Sequence, residues 1–468
     1  MASGNVVERV VKGNRCTGCG VCAAVCPRAA LEMATLPNGD LAPVLVGECS
    51  EACGVCLSVC PFADGLHDPR EENARWYRPQ RTPGSRFHED IGWHLRCAAG
   101  FSRVDGHRRS AASGGLTTWC LEQLLVRGWV DKVSIVRLSD RGSRSLFEFA
   151  EARSVDEIRS ASGSIYHPVE ISPLVRQMLE QPEVRWAVVG VPCLCAALRR
   201  CKRLGDSVRF VLGLACGMYQ NTMYTEVLLS RSGVRAGDLS SVTYRNKPSE
   251  GPASNFGFLP RDRAGCAGRD IPYRGLPYFL GRNAYFRLNG CNYCKDVFAE
   301  TADACFMDAW LPEYADDPNG TSLAVVRSQV VADLLRDGAA SRVLHLEDVS
   351  PDQARLAQQG HVRRKRELIG MRLAQAPVDG GNGAPRARRS ERADWWLQRH
   401  TQERSKAAWR RYGRRWGAAL FWLSMGDLVI AQLLLGALSR TFSLGRRILR
   451  YARRGLKLNW LVSRRRLP

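Results

Sequence analysis

Two cysteine motifs decide the fold of the first part of the chain: Cys16-Thr-Gly-Cys-Gly-Val-Cys-Ala-Ala-Val-Cys-Pro27 and Cys49-Ser-Glu-Ala-Cys-Gly-Val-Cys-Leu-Ser-Val-Cys-Pro61. A cubane iron–sulfur cluster needs four thiolates, and in paired motifs of this kind three come from one motif and the fourth from the other. The spacing therefore predicts a ferredoxin-type domain with two [4Fe-4S] clusters over residues 1–66. One cluster would bind Cys16, Cys19, Cys22 and Cys60, and the other would bind Cys49, Cys53, Cys56 and Cys26.

Structural zinc is the alternative for these motifs, because zinc also binds pairs of cysteines two residues apart. A zinc site closes with four ligands and does not need eight cysteines in two copies of a cluster spacing. The proline after each motif turns the chain away from a cluster, and Gly18, Gly20 and Gly54 let backbone amides approach the sulfides. The three-residue gap between Cys49 and Cys53 departs from the usual two at one corner of the second cluster.

Composition indicates a reduced, metal-binding protein of two or three domains. The chain has 468 residues and 18 cysteines, and its first residues lack the apolar stretch of an export signal, so we expect thiols rather than disulfides. The net charge is +22, but residues 381–468 hold 21 Lys and Arg against four acidic residues. The positive charge therefore belongs to the tail, and it does not by itself indicate nucleic-acid binding.

The remainder of the chain divides by composition into four zones. Residues 67–92 are polar and rich in proline, which is typical of a linker. In residues 93–375 short β-rich runs alternate with helical stretches, which favours an α/β or α+β body. A Gly/Pro linker over 376–392 leads to a basic amphipathic tail, 393–468. The predicted fold class is α+β: a ferredoxin-like two-cluster domain, an α/β body and a basic helical tail.

A second group of cysteines lies in the body. Cys193 and Cys195 follow a β-rich run, Cys216 follows another, and Cys291 and Cys294 form a CxxC pair. A CxxC pair with one or two distant cysteines at strand ends could hold a third cluster, and we predict Cys193, Cys216, Cys291 and Cys294 as its ligands. Packing is the alternative, because free cysteine is often buried, and we expect it for Cys97, Cys120, Cys201, Cys266 and Cys305.

A loop of small residues, Ser110-Ala-Ala-Ser-Gly-Gly-Leu, precedes a helical pattern that runs to Arg127. Small residues at the start of a helix let backbone amides face a phosphate, and the helix dipole favours the anion. The same residues are also typical of an ordinary N-cap on a tight turn. The loop alone leaves both readings open.

Taken together, these motifs resemble the beta subunit of coenzyme F-420 hydrogenases and dehydrogenases. The resemblance covers residues 1 to about 340, and the motifs come in the family's order. They are Ala112-Ser-Gly-Gly-Leu-Thr-Thr, Gly190-Val-Pro-Cys with Ala196-Ala-Leu-Arg, Leu212-Gly-Leu-Ala-Cys-Gly, Tyr244-Arg-Asn-Lys, and Cys291-Asn-Tyr-Cys-Lys-Asp followed by Ala302-Asp-Ala-Cys-Phe-Met-Asp-Ala-Trp310.

The resemblance implies a flavoprotein body with an N-terminal flavin-binding domain over 93–180 and a C-terminal domain over 181–375. In the family the flavin exchanges hydride with a deazaflavin or another organic substrate, and clusters carry single electrons. The family favours FAD over FMN. By position, Ser113, Gly114 and Gly115 would touch the phosphate side of the flavin, and Cys193, Cys216, Cys291 and Cys294 would bind the cluster nearest to it.

Two further residues fall within family motifs, and we predict them as catalytic. Lys295 would offset the negative charge of the reduced flavin, although a surface lysine is the alternative. Asp308 lies in a motif that usually reads Gly-Asp-Ala-Trp, but Met307 replaces the glycine here, and Gly217 follows Cys216 where the family often has histidine. Family members reduce deazaflavin, chlorophyll-like pigments or unidentified bacterial substrates, and some are associated with surface-polysaccharide metabolism, so the substrate is not determined by the fold.

The tail mixes tryptophan with arginine and then becomes apolar from Leu420 to Leu438, with Asp427 near the middle. A charge there costs about 2.5 to 3.5 kcal/mol in a spanning helix, so a helix lying on an anionic membrane surface fits better. A helix that docks on a partner and an RNA-binding arm are the alternatives. We expect a cytoplasmic protein, peripheral on the inner face of the cell membrane.

The sequence therefore predicts a flavin-dependent iron–sulfur oxidoreductase whose partners are a redox protein or ferredoxin and an organic hydride donor or acceptor. A pure electron-transfer subunit without its own substrate site is the second reading. Structural clusters in a membrane-associated scaffold are the third. No grouping of the eight histidines indicates a hydrolase.

Overall fold

The ferredoxin-type part is built from two short helices and a hairpin. Helix α1 (Val21–Ala24) and helix α2 (Val55–Ser58) lie within the two cysteine motifs, and each is preceded by a glycine in the left-handed region, Gly20 at φ 87° and Gly54 at φ 63°. Strands β1 (Leu31–Thr35) and β2 (Leu41–Leu45) pair antiparallel between the motifs. A π-helical turn, Val7–Val11, precedes them.

The computed structural model describes residues 4–50, 52–140, 143, 145–373, 389–414, 417–435 and 437. The chain divides into two compact units, Met1–Pro385 and Arg386–Pro468. Part of the predicted linker 376–392 and most of the tail beyond Leu435 lie outside the described residues.

An eight-stranded mixed sheet forms the centre of the first unit, in the order β15-β5-β14-β13-β9-β8-β6-β7. Its four inner strands β13, β9, β8 and β6 are parallel, and the flanking pairs are antiparallel. The strands are β5 (Arg96–Ser102), β6 (Lys132–Leu138), β7 (Phe147–Ala152), β8 (Trp186–Gly190), β9 (Val208–Leu214), β13 (Ala304–Asp308), β14 (Ser322–Val326) and β15 (Leu344–Asp348).

Smaller sheets and helices surround this sheet. The smaller strands are β3 (Arg86–His88), β4 (Gly92–His94), β10 (Leu239–Asn246), β11 (Gly257–Asp262) and β12 (Ile271–Pro272). The helices of the first unit are α3 (Arg70–Tyr77), α4 (His107–Ser110), α5 (Leu116–Val126), α6 (Val155–Ser160), α7 (Ser172–Glu180), α8 (Pro192–Arg200), α9 (Thr222–Ser232), α10 (Leu276–Arg282), α11 (Gln329–Ala340), α12 (Pro351–Ala357), α13 (Gln359–Val362) and α14 (Ile369–Leu373).

Each face of the central sheet packs against a separate apolar core. Alternate residues of a strand point to opposite faces, so Ala187 and Leu212 pack with helices α5, α6 and α11, whereas Val188 and Val211 face the other way. The ferredoxin-type part shares this second core, to which it contributes residues such as Val6 and Leu57, together with α7 and α8. The mixed α/β body and the ferredoxin-like domain confirm the predicted fold class.

Residues 67–92 are more ordered than the predicted linker. They form α3 and the β3–β4 hairpin, and the side chains of His67, Asn73 and Tyr77 are buried. The Asn73 amide donates to the Glu300 carbonyl at 2.8 Å and the Tyr77 hydroxyl donates to the Thr301 carbonyl at 3.1 Å. Composition missed this because α3 is mostly polar on its surface and is fixed by a few polar side chains that reach the body.

The second unit is helical where it is described. It contains α15 (Arg389–Ala408), a π-helical turn Trp409–Gly413, α16 (Ala418–Ser424) and α17 (Gly426–Leu435). Within the described residues no single helix has the length and apolar character of a membrane span. The pair α16 and α17, bent by 63°, meets both criteria together.

Candidate iron–sulfur relay and cofactor loop

The first four predicted ligands line one cavity. Cys16, Cys19 and Cys22 lie on the turn before and within α1, and Cys60 reaches the same cavity from the second motif, beside Gly18, Gly20 and Phe62. Burial, together with the neighbouring Cys19 thiol, raises the pKa of Cys60 to about 12. The Gly18 amide donates to Cys16 Sγ at 3.4 Å, which is the amide-to-sulfur contact expected around a cluster. The structure thus brings this ligand set together.

The second set gathers around α2. Burial raises the pKa of Cys56, and the nearby Cys49 and Cys26 thiols raise it further. The Val6 amide donates to Cys56 Sγ at 3.3 Å. Cys53, which lies at the corner with the longer gap, is exposed. Cys26 therefore lies with the second motif, as the interleaved assignment requires.

The third set converges from three places in the body. Cys193 lies in the first turn of α8, Cys216 lies just after β9, and Cys291 and Cys294 lie in and after the 3-10 turn Asn289–Tyr293. Burial raises the pKa of Cys216 to about 12, and Cys291 and Cys294 are among the neighbouring thiols that raise it. Burial also raises the pKa of Cys193, and Cys19, Cys294 and Cys216 add to the effect. The third set therefore borders the first set, at Cys19.

The donor chemistry of these sets fits cubane clusters. Apart from the exposed Cys53, the thiols of all three sets lie in buried or half-buried surroundings, and the Tyr219 amide donates to Cys291 Sγ at 3.2 Å. Among the residues that the structure describes, no three His, Cys, Asp or Glu side chains converge as the ligands of a single metal ion would. Cubane ligands bind four different irons, so they do not need to meet at one point.

The other body cysteines pack in the apolar cores or lie at the surface. Cys97, Cys195, Cys201 and Cys305 belong to the core beneath the ferredoxin-type part, and Cys120 belongs to the core on the opposite face. Cys195 Sγ donates to the Gly190 carbonyl at 3.4 Å instead of joining Cys193. Cys266 is exposed.

The predicted cofactor loop lies at the edge of the central sheet, before α5. Ser102, at the end of β5, donates its amide to the Gly114 carbonyl at 2.9 Å. A Cβ on Gly114 would lie 2.5 Å from the Gly100 carbonyl oxygen, so the loop contacts the strand backbone directly. Gly115 has φ 81° and precedes the first residue of α5, and Ser113 Oγ donates to the Thr321 carbonyl at 2.8 Å.

Lys247 holds this loop in place, and sequence reasoning assigned it no role. Its buried ammonium donates to the carbonyls of Arg108, Ser113 and Asn319, at 2.7 Å for Ser113 and 2.5 Å for Asn319. The motif Tyr244-Arg-Asn-Lys contains this residue, but the sequence does not indicate that its side chain binds three carbonyls in distant loops. Burial lowers the pKa of Lys247 to about 7, with Arg245 and Arg108 adding to the effect.

Asp308 is the last residue of β13. In the sheet, β13 lies between β9, the strand that precedes Cys216, and β14, which pairs with β5 beside the cofactor loop. Its carboxylate forms a two-point ion pair with Arg245, at 2.7 and 2.9 Å. The Arg245 guanidinium also stacks over the Phe256 ring at 4.4 Å. The structure thus gives Asp308 a buried partner that the sequence analysis did not predict, and a catalytic role for Asp308 stays a prediction.

Lys295 contacts the segment that leaves the ferredoxin-type part. Its ammonium pairs with the Asp68 carboxylate at 2.9 Å, and its amide donates to the His67 carbonyl at 2.9 Å. Lys295 and Arg70 share Asp68, and hydrogen bonds from both hold the pKa of that carboxyl below its usual range against the opposing effect of burial. The ion pair places Lys295 at the junction of the two parts, and its predicted role beside a flavin is not tested by this contact.

Gly217, the departure after Cys216, has a physical explanation in the structure. A Cβ on Gly217 would lie 2.2 Å from Nδ1 of His361, so an imidazole from a later segment occupies the space that a side chain at 217 would need. His361, Lys365 and Arg372 all lie on this side of the third cysteine set, and sequence reasoning missed them because they follow the recognisable motifs.

Comparison with known families identifies the class of protein. The family model for the N-term of the coenzyme F420 hydrogenase/dehydrogenase beta subunit matches residues 97–176, and the model for the C terminus of the same beta subunit matches residues 184–352. A 4Fe-4S dicluster domain matches residues 15–63. The fold and the cysteine sets define an iron–sulfur oxidoreductase that transfers electrons. The two beta-subunit models together cover more than half of the chain, which belongs to the coenzyme F420 hydrogenase/dehydrogenase beta subunit family.

Among solved structures, the chain is similar to a chain of the F420-reducing [NiFe] hydrogenase complex from Methanosarcina barkeri, solved as a xenon derivative. The two share 16% sequence identity with a TM-score of 0.46, over 64% of this chain and 99% of the other. A comparison with curated proteins gave no match.

Proposed function

We propose that this protein is a flavin-dependent iron–sulfur oxidoreductase that couples single-electron transfer to hydride transfer on an organic substrate. The observation that carries the proposal is the convergence of Cys193, Cys216, Cys291 and Cys294 next to the ferredoxin-type part. A third cluster at this position would link the two N-terminal clusters to the edge of the central sheet. A deazaflavin coenzyme is the first substrate class to test.

The proximity of the cysteine sets to one another supports one order of electron transfer. Cys56 of the second set is close enough to Cys22 to raise its pKa, although burial has the larger effect. In the same way, burial raises the pKa of Cys193 of the third set, and Cys19 of the first set raises it further. The backbone also connects the parts, because the His67 amide donates to the Tyr293 carbonyl at 2.8 Å, one residue before Cys294. Electrons would therefore pass from the second set through the first to the third, or in reverse.

The carboxyl edge of the parallel strands is where sheets of this type bind ligands. Cys193 and Cys216 follow β8 and β9 at this edge, Asp308 ends β13, and the cofactor loop lies beside the end of β5. Backbone amides of Ser113, Gly114 and Gly115 at the start of α5 would bind a flavin phosphate. A bound flavin would exchange electrons singly with a cluster and in pairs, as hydride, with the substrate.

Anaerobic purification with iron, sulfide and released-flavin quantitation tests the proposal. We expect about twelve irons and one flavin per chain, which corresponds to three cubanes and a flavin. About eight irons without flavin would instead identify an electron carrier that delivers electrons to a partner enzyme.

A matched pair of variants tests the third cluster separately. Cys294→Ser removes one thiolate of the third set, so iron should fall from about twelve to about eight per chain. Cys120→Ser changes a core cysteine on the opposite face of the sheet, so its iron content should equal that of the wild type. Equal iron in both variants would contradict the proposed ligand set.

A further inference from the structure

A basic segment covers the third cysteine set and lies beyond the residues that match the family. We call this segment, residues 361–372, the basic cap. It contains the end of α13, a π-helical turn Arg363–Glu367 and the start of α14, and it carries five Lys and Arg together with His361. The matched region ends at residue 352. A π-helical turn is rare and often lies at a functional site.

Lys365 points from this turn into the cysteine set. The residue is 2% exposed, and its ammonium donates to the Cys216 carbonyl at 3.2 Å and to the Asp296 carbonyl. Asp296 is two residues after Cys294, so the ammonium bridges the backbone on both sides of the set. Removing a lysine from water is costly unless opposite charge or hydrogen bonds compensate, and two carbonyls alone leave a full positive charge to balance.

The other basic side chains of the cap have partners of their own. Arg366 pairs with the buried Glu300, Arg372 donates to Asn292 Oδ1 at 2.8 Å, and Arg364 contacts His361 Nδ1 at 2.7 Å. The buried carboxylate of Asp296 also lies in this region, 3.9 Å from the His67 ring. Lys365 is therefore the cap residue whose charge is held directly against the backbone of Cys216 and Asp296.

We propose that the Lys365 ammonium raises the reduction potential of the third cluster. A cubane bound by four thiolates is anionic, and each added electron makes it more negative, so a fixed buried cation stabilises the reduced form. The proposal rests on the proposed function, because it requires a cluster at Cys193, Cys216, Cys291 and Cys294. Lys365 acts as a positioning and electrostatic residue and does not contact substrate.

Three variants of the full chain separate charge from shape. Lys365→Gln keeps hydrogen-bond donors for the two carbonyls but removes the charge, Lys365→Arg keeps the charge, and Lys365→Met is a second neutral variant. The control is Lys132→Gln, which neutralises another buried lysine, one that pairs with Glu151 on the edge strand pair β6–β7 at 2.6 Å. The readout is a redox titration followed by electron paramagnetic resonance, and the signal absent from Cys294→Ser identifies the third cluster.

We expect the reduction equilibrium of the third cluster to weaken about tenfold in Lys365→Gln, or about 59 mV for one electron. Lys365→Arg should restore most of the difference, and the control should match the wild type. An unchanged potential in both neutral variants, or an equal shift in the Gln and Arg variants, would overturn the proposal. A wild-type chain with only about eight irons would overturn the proposed function itself and would be recognised before any titration.

A separate observation concerns the second unit. Helices α16 and α17 expose large apolar side chains, with Leu423 77% exposed and Ile430, Leu433 and Leu434 each 60% exposed. The polar residues of these helices bind α15 instead: Asp427 pairs with Arg404 at 2.6 Å, and Gln432 donates to Thr401 Oγ1 at 2.6 Å. Asp427, the charge that argues against membrane contact in the sequence, is therefore paired with a cation, and its side chain is 64% exposed.

We infer that α16 and α17 dock on an anionic lipid bilayer, with their exposed leucines and isoleucine entering the interface. Charge complementarity favours lipid over a second copy of the chain, because residues 381–468 carry 21 Lys and Arg against four acidic residues and two such segments would repel each other. The apolar surface and the basic residues are the two signals that stable interfacial binding requires.

Flotation of the full chain with vesicles tests this inference. We expect at least tenfold more binding to phosphatidylcholine vesicles containing phosphatidylglycerol than to pure phosphatidylcholine, and a loss of binding in the double variant Leu423→Glu and Leu433→Glu. Val126→Glu, which changes an exposed apolar residue at the end of α5, is the control and should bind as the wild type does. Equal binding of the double variant, or concentration-dependent dimerisation that the double variant abolishes without any vesicle binding, would overturn the inference.

Discussion

At the scale of single residues, the ion pair between Asp308 and Arg245 is the feature that most constrains the predicted site. Both side chains are mostly buried, at 21% and 7% exposed, and the pair is bidentate. Removing one partner of such a pair leaves the other charge without compensation in a poorly solvated place. The pair therefore stabilises the edge of the sheet, independently of the predicted catalytic role of Asp308.

We expect Asp308→Asn to lower the free energy of unfolding by about 3 kcal/mol, because Arg245 loses its counter-charge. The double variant Asp308→Asn and Arg245→Met should lose less than the single variant. Chemical denaturation followed by circular dichroism measures both. A single variant as stable as the wild type would show that solvent already compensates Arg245.

A buried histidine gives the protein a pH dependence. Burial lowers the pKa of His167 to about 3, and its Nδ1 lies 2.9 Å from Thr225 Oγ1. Between pH 6.5 and 3 the unfolded chain binds a proton that the folded chain does not, so the stability contributed by neutral His167 is present above pH 6.5 and is lost as the pH falls. At pH 5.5 the loss is about 1.4 kcal/mol.

The variant His167→Phe should reduce the difference in thermal midpoint between pH 7.5 and pH 5.5, since it removes this share of the proton uptake. The aromatic ring would still pack on Phe147, whose ring centroid lies 5.1 Å from that of His167. Differential scanning calorimetry at the two pH values measures the change. An unaltered difference would assign the acid sensitivity to other groups.

At the scale of elements, the cofactor loop depends on the close contact of Gly114 with two strands. A Cβ there would lie 2.5 Å from the Gly100 carbonyl oxygen and 2.7 Å from the Ser322 amide nitrogen, and both are backbone atoms that cannot rotate away. We expect Gly114→Ala to displace the start of α5 and to reduce bound flavin at least tenfold while the iron content stays the same.

Gly237→Ala is the matched control for this variant. Gly237 has open space around its Cα and lies in the 3-10 turn Ala236–Asp238, so the added methyl group should change neither flavin nor iron. Flavin released by acid and measured by fluorescence distinguishes the two variants. Full flavin content in Gly114→Ala would place the flavin elsewhere.

The elements differ in how much of their structure and function the sequence predicts. The ferredoxin-type domain was predictable because all of its ligands lie in two local motifs, and the resemblance to the beta-subunit family was carried by motifs in a fixed order. The grouping of Cys193 and Cys216 was predictable only as two cysteines after β-rich runs. Lys247, Arg245 and Lys365 were not, because their partners lie far away in the chain and only the folded structure brings them together.

At the scale of the whole molecule, the first unit contains the ferredoxin-type part, all twelve predicted cysteine ligands and the cofactor loop, whereas the second unit contains α15 to α17. The first unit has its own two apolar cores. We therefore expect a chain that ends at Pro385 to retain the iron, the flavin and the visible spectrum of the full chain. The same truncation should abolish flotation with anionic vesicles. Loss of iron from the truncated chain would show that the second unit supports the first.

The apolar core that the ferredoxin-type part shares with the central sheet has a kinetic consequence. A carrier domain on a flexible tether must diffuse to its acceptor at every turnover, so its rate falls as the solvent becomes more viscous. Here Val6 and Leu57 are packed in the same core as Val188 and Val211, and no swing can occur without opening that core. Internal electron transfer should therefore be ungated, and any dependence of turnover on viscosity or ionic strength should arise only where external partners arrive and leave.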